Sequence, residues 1–238
     1  MTVKKKISFK ISRTWSFNKS VSKVFDAHVI ESIPLYKRFN TEIAKISEFY
    51  LKDNAVIYDI GCSTGNYISE ICKIKKNNLK IVGIDQNKDM INIAQKKIRK
   101  FKKKNDIKLI CKNVFKLKFE KFDLAICSLL LPFFAHGLQI KLVKKIYRNL
   151  NNNGAAIFLN KCISETPRFE NIYNQLYYDF KQEQGVSPSD ILKKTKSLRS
   201  VHSVNTSSQD IKLFKKIGFK KVEIFFKFLN FTGYLVEK

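Results

Sequence analysis

An apolar run that empties into a glycine turn, Ala55-Val-Ile-Tyr-Asp-Ile-Gly-Cys-Ser-Thr-Gly65, constrains this chain more than any other stretch. A short, uninterrupted apolar run is what a parallel strand buried on both faces requires. Gly61 and Gly65 then let the backbone bend sharply and come close to a ligand, where any Cβ would collide with it. A second apolar run, Ile81-Val-Gly-Ile-Asp85, ends in an acid about twenty residues after the turn, and a carboxylate at that strand end can accept hydrogen bonds from both ribose hydroxyls. Together the two runs read as a nucleoside-binding crevice. Ser63 stands where the dinucleotide fingerprint needs its middle glycine, and no lysine follows Gly65 as a phosphate-cradling loop demands, so a pyrophosphate is poorly provided for.

Helix and strand signals alternate along the chain, which implies parallel strands joined by crossover helices. Amphipathic spacing predicts a helix over 36–50, another over 66–75 after the glycine turn and a third over 88–103. Strands follow at 107–111, 122–128 and 154–160, with a helix over 138–150 and a turn at Asn151-Asn-Asn-Gly154. Beyond that the character changes: a helix over 170–184, a polar helical or irregular stretch over 188–200, a helix over 207–217 and a closing antiparallel pair, 220–228 with 232–237.

With 238 residues, 44% of them hydrophobic, and no low-complexity linker, one globular unit is the default. Five cysteines form no C-x-x-C pair, so neither a zinc site nor a disulfide framework is suggested, and a reducing, cytoplasmic setting is expected. No segment approaches the roughly eighteen apolar residues of a membrane span. The net charge of +26 invites a nucleic-acid reading through counterion release. The lysines are spread over many helices, however, and a run such as Lys96-Lys-Ile-Arg-Lys-Phe-Lys-Lys-Lys104 suits a solvated helix face and C-terminal turn; direct RNA binding is therefore not favoured. His28, His136 and His202 are far apart, and none announces a general base, although His136 lies just past a strand end where acceptor-side groups sit in this fold class.

The motif Asp59-Ile-Gly-Cys-Ser-Thr-Gly65, with Asp85 and the polar end Asn113-Val114 of the third strand, resembles the first motifs of class I S-adenosylmethionine (SAM) dependent transferases. The fold this implies is Rossmann-like α/β, a mostly parallel seven-stranded sheet with an antiparallel final strand and helices on both faces. The likeness is closer still to the carboxy-SAM synthases. It is carried by Trp15-Ser-Phe-Asn18, Val24-Phe25, Ser32-Ile-Pro-Leu-Tyr36 and Tyr58-Asp-Ile-Gly-Cys-Ser63, and later by Lys145-Ile-Tyr-Arg-Asn-Leu150, Asp179-Phe-Lys181 and Phe228-Leu-Asn-Phe231. Enzymes of that family use prephenate as carboxyl donor to turn the SAM methyl into a carboxymethyl group, which then serves tRNA wobble-uridine modification.

The resemblance implies a cap over the ligand from residues 1–35 and a single SAM-binding domain over 36–238 with a helical insertion around 165–205. It also implies a homodimer with the segment around 190–202 near the partner. Tyr36 would close over the ligand, Gly61, Cys62 and Ser63 would line the methionine side, Asp85 and Gln86 would hold the ribose and adenine edge, and Asn113 and Val114 the adenine, with Asp59, Gly65 and Ser128 also counted among the cofactor-binding residues. Ser128 falls where the family has an asparagine. Thr195 falls where the family has the arginine that grips the extra carboxylate, and a threonine cannot make that two-bonded clamp. Lys194, Lys196 or Arg199 are candidates to replace its charge. Three readings remain open: a carboxy-SAM synthase with a rebuilt clamp, a conventional methyltransferase taking a small molecule or RNA over Phe133, Phe134 and Tyr177, and a basic scaffold that has kept the fold without catalysis.

Overall fold

A computed structural model describes residues 13–101 and 104–238. Seven strands form one sheet: β1 (Val56–Ile60), β2 (Lys80–Asp85), β3 (Asp106–Cys111), β4 (Phe122–Ser128), β5 (Leu150–Lys161), β6 (Lys221–Phe228) and β7 (Phe231–Glu237). Their order across the sheet is β3-β2-β1-β4-β5-β7-β6. The first five are parallel, and β7 runs antiparallel to both β5 and β6. This is the doubly wound sheet expected from the sequence. Strand order reverses between β1 and β4, so the connections leave in opposite directions there and a crevice opens at the carboxyl ends.

The strands are apolar because both faces are covered. Side chains alternate across the sheet with a period of two. Ile57, Leu124 and Ile157 point into one core with Ile43 and Ile68, whereas Tyr58, Ala125 and Phe158 point into the other with Leu142, Ile146 and Phe214. Helices α2 (Tyr36–Glu48), α3 (Asn66–Ile71) and α4 (Lys88–Ile98) contribute to the first layer, α5 (His136–Asn149) and α8 (Ser207–Ile217) to the second. Three further helices or segments arch over the carboxyl ends: α1 (Lys19–Ser32), α6 (Pro167–Glu183) and α7 (Pro188–Leu198). Asn18, Thr166 and Ser187 cap their amino ends, each side-chain oxygen accepting from a backbone N–H.

Several boundaries differ from the sequence reading. The helix expected over 66–75 stops at Ile71, with Cys72 as its C-cap. The one expected over 88–103 is α-helical only to Ile98 and tightens into a 3-10 turn at Arg99–Phe101; its expected end at 102 and 103 lies outside the described residues, as does the basic segment 1–12. Asn151-Asn-Asn-Gly154 is not a separate turn but the irregular start of β5, with the register shifting opposite Phe122 and Leu124 and Asn153 at φ 64°. The 188–200 stretch is a regular helix, α7, and residues 19–32 form α1, which the sequence reading left without an element.

Phe214 is fully buried, stacked on Phe158 with ring centroids 4.6 Å apart and edge-on to Tyr234 at 5.4 Å. Phe214→Ala should destabilise the protein by ~3–5 kcal/mol in urea unfolding. The same change at Phe49, 89% exposed, should stay within about 0.5 kcal/mol.

Candidate functional site

A cavity of about 1030 Å³ lies over the carboxyl ends of β1, β2 and β4, at the top of the range for small-molecule sites, ~300–1,000 Å³. Its floor is the glycine turn. Gly61, at φ 80°, carries a left-handed conformation, and a Cβ there would stand 3.0 Å from the Leu130 side chain. The N–H groups of Gly61 and Cys62 both donate to the Ile84 carbonyl, at 2.8 and 2.9 Å, which binds the turn to the next strand. Asp85 completes the junction: its carboxylate accepts from the backbone N–H of Ser63 at 3.0 Å and of Asn87 at 2.8 Å. Each oxygen still has a lone pair for a ligand hydroxyl. Burial pushes the Asp85 pKa up against those hydrogen bonds.

Asp59, at the end of β1, is buried and faces the cavity, and its Oδ2 has no hydrogen-bond partner. Burial and the neighbouring Asp85 charge push its pKa up to about 8. An orphaned, largely protonated carboxyl beside a glycine turn fits a ligand that brings its own polar group, as an amino-acid moiety does.

The roof comes from the amino-terminal segment and the late helices. The Trp15 N–H donates to the Ser197 carbonyl at 3.0 Å, Asn87 Nδ2 donates to the Phe17 carbonyl, and Tyr177 Oη donates to the Ser32 carbonyl at 2.8 Å. Asp26 of α1 accepts from Thr64 at 2.5 Å and Asn66 at 2.9 Å and pairs with Lys97 at 2.6 Å. Although burial opposes it, these partners, Lys97 foremost, hold the Asp26 pKa below the usual carboxylate range. Aromatic edges line one wall: Phe17 packs on Phe133 at 5.3 Å and Phe133 on His202 at 4.5 Å.

The far end of the cavity is cationic. Lys194 of α7 places its Nζ 2.5 Å from His28 Nε2, 3.2 Å from Ser32 Oγ and 4.9 Å from the centroid of the Trp15 ring. Burial, with the Lys161 charge, pulls the Lys194 pKa down to about 7; burial pushes His28 down to about 2, so the imidazole accepts the lysine's hydrogen bond. Burial likewise takes Lys181 to about 6 and His202 to about 4, and lowers Lys161. None of the three lysines is in an ion pair among the described residues.

Relatives match nearly the whole length of the chain. Carboxy-S-adenosyl-L-methionine synthase from Staphylococcus epidermidis is 32% identical over 225 residues, covering 94% of this chain and 97% of its own. The enzyme of the same name from Sulfurimonas denitrificans is 32% identical over 232 residues, with 96% of each chain covered. The chain belongs to the carboxy-SAM synthase family. A family model described as a methyltransferase domain also matches residues 57–154. Among solved structures, a putative O-methyltransferase from Nostoc punctiforme superposes with a TM-score of 0.67 at 14% identity, over 92% of this chain and 59% of that one. Human N-acetylserotonin methyltransferase, in complex with SAM, gives 0.62 at 15% identity, over 93% and 56%. These share the class I SAM methyltransferase fold, and the protein is a SAM-dependent transferase.

Within this synthase-family fold the expected residues separate into two groups. Tyr36, Asp59, Gly61, Cys62, Ser63, Asp85, Gln86, Asn113, Val114 and Ser128 all border the one cavity, as do Phe133, Phe134 and Tyr177. Gly65 does not: at φ 74° it is the N-cap of α3, packed 3.2 Å from Ala94 where a Cβ would stand. Of the clamp candidates, Lys194 and Arg199 face the cavity and Lys196 is exposed outside its wall. The Thr195 hydroxyl donates to the Ile191 carbonyl one turn back, at 2.9 Å. His136 is exposed at the start of α5, away from the cavity, whereas His28 and His202, remote in sequence, both line its wall. Lys161, Lys181 and Trp15 received no role from the sequence. A lysine ending the apolar strand β5 at its carboxyl edge was the available signal for Lys161. Among the described residues no group of three or more His, Cys, Asp and Glu is arranged to hold a metal, and no helix is long and apolar enough to cross a membrane.

In the unfolded chain Asp59 ionises near pH 4, but in the fold it keeps its proton to about 8. Folding therefore takes up a proton between these values, and stability falls as pH rises through that window and levels off above it. Asp59→Asn removes this slope. Its stability relative to the ligand-free parent should rise from pH 4 to 8, read by urea midpoints; a pH-independent difference would contradict the buried, protonated assignment.

Proposed function

We propose that the cavity binds SAM together with prephenate and forms carboxy-SAM. Asp85 takes the ribose hydroxyls, Gln86, Asn113 and Val114 border the adenine, and the 61–63 turn with Asp59 and Tyr36 holds the methionine portion. Bound SAM supplies an electrophilic sulfonium methyl. What the protein adds beyond alignment is positive charge, since a carboxylation must hold an acid donor and an anionic product where simple methyl transfer needs only a positioned nucleophile.

The observation that carries this reading is the Lys194 amine on the cavity wall, one residue before Thr195, with no ion pair among the described residues. Thr195 has already committed its only hydroxyl proton to its own helix, so it contributes no charge and no free donor to a carboxylate. Lys194 supplies a point charge in place of a two-pronged guanidinium, with Arg199 at the rim, and His28 and Ser32 fix the ammonium in direction. The relatives' shared name supports the same chemistry.

In this reading the product feeds tRNA wobble-uridine modification by a second enzyme, and the protein works in a reducing cytoplasm, consistent with five unpaired cysteines. We take it to be a homodimer, with 190–202 near the partner; Phe169, Ile172 and Leu176, an exposed apolar row on α6, and Leu192 on α7 support this.

Mass spectrometry of the nucleoside released from denatured protein, after incubation with SAM and prephenate, tests the reaction. The expected species is heavier than SAM by one carboxyl unit, and Asp85→Ala protein should release none. SAM or S-adenosylhomocysteine alone would assign a conventional methyltransferase instead.

A further inference from the structure

Lys181 and Lys161 lie outside the clamp just described and have no structural partner that accounts for them. Lys181 is 5% exposed, and its Nζ sits 3.8 Å from the centroid of the Tyr177 ring; the Lys161 Nζ lies 4.9 Å from the same centroid. One ring thus faces two ammonium groups, on α6 and at the end of β5, both bordering the cavity. Tyr177 is itself fixed by its hydrogen bond to Ser32. Neither lysine nitrogen donates a hydrogen bond or joins an ion pair among the described residues.

The other charged and titratable groups here do not neutralise them. Glu170 of α6 favours the charged form of Lys161, but burial outweighs it and the two form no ion pair; the Glu170 oxygens accept from the Ser164 N–H at 2.7 Å and Asn174 Nδ2 at 2.8 Å. Lys194 on α7 adds a third cation, and His28 on α1 and His202 are neutral. Burying a cation without a counter-ion is costly, and an aromatic face recovers only ~0.5–2 kcal/mol. Cations gathered around a cavity in this way are complementary to an anion that enters it.

We infer that Lys161 and Lys181, set about Tyr177, form a second anion subsite beside Lys194 and bind a carboxylate of the acid donor. This rests on the synthase reading. Two separated positive centres suit a small dicarboxylic acid, one carboxylate at Lys194 and the other at the lysine pair. Because burial and the neighbouring lysines suppress protonation of Lys181, binding of the anion draws a proton from solution.

Isothermal titration calorimetry tests this on protein saturated with S-adenosylhomocysteine, at pH 7.5 in two buffers of different ionisation enthalpy, with prephenate and malonate as probes. The parent should bind prephenate with proton uptake. Lys181→Met and Lys161→Met should each weaken that binding at least tenfold and reduce the uptake, with S-adenosylhomocysteine affinity within about twofold of the parent. Both variants replace a desolvated ammonium, buried at Lys181 and half-buried at Lys161, by a thioether of similar length, so each should melt at or above the parent temperature, which separates loss of the subsite from loss of the fold. Unchanged prephenate binding and proton uptake in both variants would overturn the subsite and leave the synthase reading standing. Malonate binding that depends on Lys181, with no binding of prephenate, would uphold the subsite and overturn the synthase reading. Binding of neither acid would overturn both.

Discussion

The reversal of strand order between the parallel neighbours β1 and β4 is the constraint on which the rest depends. It places two βα turns side by side at the carboxyl edge, and Asp85 joins them by accepting from Ser63 and Asn87. Everything that makes the crevice selective is then added from above. The amino-terminal segment is tied to α7 through Trp15, α1 to the glycine turn through Asp26, and α6 to α1 through Tyr177. These ties convert an open crevice, common to the class I fold, into a roofed cavity with a cationic end.

That cationic end opposes folding. Lys161, Lys181 and Lys194 are desolvated next to one another, and burial lowers the pKa of each. A ligand-free protein therefore holds Lys181 and Lys194 partly neutral near pH 7, and an anionic ligand stabilises the charged forms of all three. Binding, protonation and stability are linked through the same three nitrogens. His28 contributes differently. Its own protonation is strongly suppressed, which keeps Nε2 available as an acceptor and directs the Lys194 ammonium.

The sheet was legible because parallel strands buried on both faces leave continuous apolar runs, and the glycine turn and Asp85 mark the first two strand ends. The cavity-lining residues of those turns were legible for the same reason: they sit at fixed offsets from strand ends. Asn151-Asn-Asn-Gly154 misled because turn-forming residues also suit an irregular strand start, and only the pairing on either side, Leu150 with Phe122 and Ala155 with Leu124, distinguishes the two. Gly65 looked like a ligand contact, yet its positive φ serves the cap of α3 and its close approach to Ala94. The cationic end was largely illegible. In a chain with net charge +26, a functional lysine does not differ locally from a solvated one. Lys181 and Lys196 both belong to amphipathic helices, and only the tertiary fold buries the first, beside Tyr177 on the same helix, and leaves the second exposed.

The central claim is that this cavity recognises a carboxylate on its nucleoside through lysine charge in place of an arginine clamp. Competition of carboxy-SAM against SAM for the purified protein, measured at pH 6 and pH 8.5, tests it most directly. The account predicts that carboxy-SAM binds at least about tenfold more tightly at pH 6 and that its advantage shrinks at pH 8.5, above the range where Lys194 is charged in the free protein. SAM binding as tightly as carboxy-SAM at both pH values would contradict it.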